Sequence, residues 1–104
     1  MVKTQRLSTG KSWKETLRDL ERVFEDWGIR REDWSVEAHA IGVGCTVRFF
    51  LPYDTEFYEV IGYGQARREE NVRSCFICIE GLQRNDLRGV RAVYAGHRFL
   101  GLPP

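Results

Sequence analysis

Residues 36–51 read VEAHAIGVGCTVRFFL, and this stretch decides the fold class. Val36, Ala38 and Ala40 alternate with Glu37 and His39, a Gly42-Val43-Gly44 turn follows, and Cys45, Val47, Phe49 and Leu51 then alternate with Thr46, Arg48 and Phe50. A period of two sends successive side chains to opposite faces, so each half is a half-buried strand and the glycines between them a reversal. Two antiparallel strands result, with Val47, Phe49 and Leu51 turned to a core and Arg48 and Phe50 turned away. Residues 52–56 are turn-rich. Residues 57–63 are aromatic and β-branched and end in glycines at 62 and 64, which adds a third strand as a meander.

On the N-terminal side the period is helical. Trp13, Leu17, Leu20, Phe24 and Trp27 recur at alternating spacings of four and three, one apolar stripe. Ser12 precedes it and Glu15 stands three residues on, the pattern of a capping box, while Gly28 supplies a left-handed stop. A helix over residues 13–27 is predicted. Residues 1–10 are polar and without period, a flexible arm. Residues 29–34, IRREDW, form a charged connection anchored by Ile29 and Trp34.

Past the third strand, Val72, Phe76, Ile79 and Leu82 share one side with Cys75 beside them, which predicts a second helix over 67–84. Gly81 inside it costs up to ~1 kcal/mol against alanine and implies close packing or an early end. Residues 84–90 read as a turn with Gly89 at a left-handed position. Residues 90–104 fit either a short helix or an extended tail. The expected architecture is therefore α+β: helix, three-stranded antiparallel meander and helix, with both helices on one sheet face and the tail closing an end. Residues 11–104 form one domain, with a core of Trp13, Leu17, Leu20, Phe24, Val47, Phe49, Ile61, Phe76, Ile79 and Leu82.

A chain of 104 residues, 42% apolar, is the size of one domain, which excludes a two-lobed enzyme with a separate cofactor domain. No stretch approaches the ~20 apolar residues that span a bilayer, so no membrane contact is expected. The basic N-terminus, MVKTQRLSTGKSWKE, has no apolar run behind it, and a cytoplasmic location is expected. Cys45, Cys75 and Cys78 are then thiols rather than a disulfide framework. Residues 1–31 carry eight basic and five acidic groups, residues 32–60 one and six, and residues 61–104 seven and four. An acidic middle lies between two basic ends, a pattern that bears on binding more than the net charge of +1 does.

Chemistry-bearing constellations are sparse. Cys75 and Cys78 make a C-x-x-C, with His97, His39 and Cys45 as the remaining metal-ligand candidates, but a tetrahedral zinc site needs a second pair that the sequence lacks. Residues three apart share a helix face, so two buried thiols explain the spacing without a metal. There is no G-x-S-x-G, H-E-x-x-H or phosphate-binding loop, and His97 with Glu80 and Asp86 is the one acid–base grouping available. No catalytic residue and no cofactor is assigned. Binding has more support. Arg48 and Phe50 on an open sheet face, with Arg67, Arg68 and Arg73 on the second helix, could hold phosphate and stack a base, against a pI of about 7.7. Alternatively Phe50, Tyr53, Tyr58 and Trp34, with these arginines, are anchors for a protein partner or a second copy of the chain. A non-catalytic protein-binding module is the leading reading, a nucleic-acid-binding module the second and a small enzyme a remote third.

Asn71-Val72-Arg73-Ser74, Ile79-Glu80-Gly81-Leu82-Gln83, Arg88-Gly89, and Tyr94 with Gly96, Phe99, Leu102, Pro103 and Pro104 follow one another in an order with a known counterpart. With the opening helix, they resemble a small module of bacterial, plasmid and phage proteins that often precedes a DnaJ-type J-domain. There an N-L-R-A and I-E-A-L-R helix leads to an R-G turn and an L-P-P ending; Gly81 and Gln83 stand here for its alanine and arginine. The chain lacks the His-Pro-Asp of a J-domain, since Ala40 follows His39 and Arg98 follows His97. The resemblance implies a bacterial or mobile-element setting beside a partner domain, without a chemical activity.

Overall fold

Single residues set both ends of the first helix. The Ser12 hydroxyl accepts from the Glu15 amide at 3.1 Å, and the Glu15 carboxylate accepts from the Ser12 amide at 3.0 Å, the reciprocal pair of a capping box. These bonds hold the Glu15 carboxyl below the usual carboxylate range. Gly28 takes φ +83° and closes the helix as a left-handed cap. The computed structural model describes residues 3–91, and within them the elements run α1 (Trp13–Trp27), β1 (Trp34–Ala38), β2 (Cys45–Phe50), β3 (Phe57–Gly62) and α2 (Arg68–Leu87). The fold is α+β, with a short 3-10 turn at Arg31–Asp33 leading into β1.

The strands form one antiparallel sheet in the order β1-β2-β3. Trp34 lies opposite Phe49 and Val36 opposite Val47, while Val47 lies opposite Val60 and Phe49 opposite Tyr58. Both helices pack on the face that carries Cys45, Val47 and Phe49. From α1, the Phe24 ring lies 4.9 Å from Trp34 and 5.3 Å from Phe49, and Trp27 lies 5.6 Å from Phe49. From α2, Cys75 meets Cys45 across 4.0 Å. Trp13, Leu17 and Leu82 are half-buried against this core rather than inside it.

Several expectations are corrected. The alternation of β1 begins at Trp34, so Ala40 falls in the loop, and Trp34 is buried beneath the Arg31 guanidinium instead of offered to a partner. In β3 the inward residues are Tyr58, Val60 and Gly62, which leaves Ile61 half-buried on the opposite face. Tyr58, expected on the surface, is 1% exposed and donates to Asp54. The second helix continues through Arg84, Asn85 and Asp86 to Leu87, and Gly89 takes its left-handed position beyond that end, at φ +79°. Gly81 neither ends this helix nor packs closely, since a Cβ there would meet nothing within 4 Å.

The arm has no regular structure over residues 3–10 but is tied down at one place. The Gln65 side-chain amide accepts from Leu7 N–H and donates to Gln5 C=O, both at 2.8 Å, and so holds an extended stretch as a neighbouring strand would. Beyond Arg91 lie the expected tail and the ligand candidate His97, outside the described residues.

Candidate functional site: the open sheet face

Neither helix covers the second face of the sheet. Three cross-strand rows line it: Glu37, Thr46 and Ile61; Ser35, Arg48 and Glu59; and Phe50 with Phe57. The alternation of β2 places Arg48 and Phe50 here as expected, because Val47, Phe49 and Leu51 are held in the core. Phe50 and Phe57 are 36% and 49% exposed and meet edge to face with their centroids 6.1 Å apart. Beside them opens a depression of about 230 Å³, bordered by Glu32, Asp33, Ser35 and Arg48. Aromatic rings that keep this much area in water are the kind of side chain that anchors interfaces.

The electrostatics of this face are acidic. Beside the face Glu32 and Asp33 pair with Arg30 at 3.4 and 3.1 Å, and on it Glu37 and Glu59 stand against one base, Arg48. Its guanidinium donates to Glu59 at 2.9 Å and lies over the Phe57 ring at 5.8 Å, so its charge is already met.

The helix arginines do not join it. Arg67 pairs with Glu69 at 3.6 Å and Glu70 at 3.3 Å. Arg68 donates to the carbonyls of His39 and Gly42 at 3.2 and 2.6 Å, fastening the β1–β2 loop to the start of α2. Arg73 bridges α2 to α1 through Asp19 at 2.6 Å and stacks on Phe76 at 4.3 Å. The expected basic surface is in these positions a set of internal ties.

Tyr53 lies elsewhere again, at the far end of α2. Its hydroxyl donates to Asp86 at 2.8 Å, and the same carboxylate accepts from the Trp27 indole and from Arg91, each at 2.7 Å. The sequence reading missed both Asp86 as a junction and Phe57 as a face residue. The signal for Phe57 was Glu59: in FYEVIG one parity carries a charge and the other does not, which turns Phe57 and Ile61 outward.

Cys75 is buried, and its hydrogen bond with Cys45 together with burial pushes its thiol up. The same contact with Cys75 holds Cys45 lower, and burial alone raises half-buried Cys78. His39 stands apart, with Nε2 2.7 Å from the Thr46 hydroxyl. Among the described residues no group of three or more His, Cys, Asp or Glu could hold a metal ion, and no helix is long and apolar enough to cross a membrane. A scan against protein-family models, a search of curated proteins and a search of solved structures each return no match for this chain.

Proposed function

We propose that this domain is a non-catalytic module that binds a protein partner through its open sheet face. One observation carries the reading: Phe50 and Phe57 stand paired and exposed on a sheet face that neither helix covers. Desolvating two such rings supplies the apolar centre of an interface, and the charged residues around them form its polar rim. Phosphate recognition fits the same face poorly, because Arg48 is bonded to Glu59 and the surrounding charge is negative. The resemblance to modules that precede a J-domain agrees with a role beside another domain.

The test places a photo-crosslinking amino acid at position 57, and at the exposed Ile77 on α2 as a control. Crosslinking in a host-cell extract is expected to trap a discrete protein from position 57 only, and to lose it in Phe50→Ser. In parallel, labelled DNA and RNA are titrated by fluorescence anisotropy at low and raised salt. Saturable, salt-sensitive nucleic-acid binding that Arg48→Ala abolishes would overturn the reading.

A further inference from the structure

The strand register fixes which peptide groups of the sheet remain unpaired. His39 N–H donates to Gly44 C=O at 2.9 Å. In an antiparallel ladder the bonded residues alternate, so Ser35 and Glu37 bond to β2, while Trp34, Val36 and Ala38 direct their groups outward. Carried across β2, the alternation makes Tyr58, Val60 and Gly62 bond inward. Phe57, Glu59 and Ile61 then present N–H and C=O along the outer edge of β3, where no described residue bonds to them. The β1 edge is less available, because Arg31 already donates to Trp34 C=O at 2.8 Å.

The side chains of the same three residues line the margin of the open face. A strand added along β3 would gain a backbone ladder and, on that face, meet an aromatic ring, a carboxylate and an aliphatic chain in turn. A depression of about 220 Å³, lined by Ile61 and Tyr63 of the strand end, Asn71 and Ser74 of α2 and Thr4 of the arm, adjoins the edge at Ile61.

From these features we infer that the β3 edge takes an extended, cationic segment of a protein partner as a fourth strand. The inference rests on the protein-binding reading of the open face and names the chemistry of its partner. The segment carries apolar side chains opposite Phe57 and Ile61 and a lysine or arginine opposite Glu59, a pattern with two-residue spacing. Charge selects it: the open face carries Glu37 and Glu59 against Arg48 alone, so the Arg48–Glu59 pair still leaves the face net negative. A second copy of this chain fits less well. Antiparallel pairing of β3 with itself about Glu59 sets two carboxylates opposite each other, which is destabilising.

The probes are capped heptapeptides in which phenylalanine, lysine and valine alternate with threonine, a counterpart with glutamate for lysine, and an N-methylated lysine peptide whose donors are blocked. Binding is read from the backbone amide signals of the full chain. The lysine peptide is expected to shift Phe57, Glu59 and Ile61, slow their amide exchange, and bind about threefold tighter than the glutamate peptide, the size of one cross-strand ion pair. N-methylation should abolish binding, and Glu59→Lys should reverse the charge preference. Equal or tighter binding of the glutamate peptide at the same amides overturns the cationic partner and leaves the protein-binding face standing. No response of these amides to any peptide at millimolar concentration overturns strand addition, while the crosslinking from position 57 still decides the broader reading. A dimer in light scattering that Ile61→Lys dissolves would replace the partner with a second copy.

Discussion

Gly62 lies so close to Asn71 that a Cβ on the strand residue would stand 2.5 Å from the helix carbonyl oxygen and 2.9 Å from the Cys75 sulfur. The absence of a side chain at this one position lets α2 rest directly on β3. Gly62→Ala must move the helix away. Overpacking of this kind costs about 1–3 kcal/mol, and the upper end is expected because the nearest atom is backbone. Urea unfolding measures it; a loss under 0.5 kcal/mol would mean that the contact relaxes freely.

The same substitution at Gly81 has the opposite sign. Here the helix surrounds a glycine at which an added methyl meets nothing within 4 Å. Alanine restricts the unfolded chain and removes the helix-interior penalty, so Gly81→Ala should stabilise by about 0.5–1 kcal/mol in the same urea titration. The pair serves as an internal control, one methyl group in contact with a neighbouring element and one in open space.

Arg73 and Asp19 join the two helices at 2.6 Å, with both side chains largely shielded. The Arg73 hydrogen bond holds the Asp19 carboxyl below its ordinary range, outweighing the opposing effect of burial. A carboxyl whose folded pKa is depressed adds stability above its unfolded pKa and loses it as pH falls through the folded one. Arg73→Ala should therefore cost about 1–3 kcal/mol near neutral pH. The difference between wild type and Asp19→Asn should shrink as pH drops below roughly 4. Thermal melts from pH 7 to pH 2 check both, and a difference that stays constant over that range would separate the ion pair from the stability.

The thiols give a test by access. Cys45 and Cys75 are buried, Cys78 is half-buried, and burial pushes Cys78 up as well. Since the thiolate is the nucleophile, iodoacetamide at pH 7.5 should label Cys78 slowly and first, and the other two only after denaturation. Peptide mass mapping over time reads the order.

How much of this was legible in the sequence depended on whether local rules or tertiary choices decided each part. The capping box at Ser12 and Glu15 and the stop at Gly28 act within one turn, so the first helix emerges with its observed ends. Alternation in β2 fixed Arg48 and Phe50 on the open face because the core-facing residues beside them are all apolar. The parity of β3 is less clear, since both of its faces carry large apolar groups and only the charge at Glu59 turns Tyr58 inward. The pairings of Arg68 and Arg73 are not readable from local sequence, whereas Arg67 meets Glu69 and Glu70 within one turn. Arg68 acts 26 residues away on Gly42 and Arg73 acts 54 residues away on Asp19, and no local pattern announces such partners.

The Asp86 junction makes the last prediction, because one carboxylate there serves three elements. It accepts from the Trp27 indole of α1 at 2.7 Å, from Tyr53 in the β2–β3 loop, and from Arg91 past the end of α2, which also lies over the Tyr53 ring at 4.7 Å. Removing an acceptor costs most where the donor left behind is out of water. Trp27 is buried and Tyr53 is exposed, so the two bonds should carry unequal weight. Asp86→Ala is expected to destabilise by about 2–3 kcal/mol, whereas Tyr53→Phe should cost about 0.5–1 kcal/mol. Asp86→Asn keeps an acceptor oxygen for the indole and should fall between them. The Trp27 indole proton resonance distinguishes the cases, moving in Asp86→Ala and holding nearly still in Tyr53→Phe. Equal losses in the two variants would place the strength of the junction in the tyrosine loop instead of the helix pair.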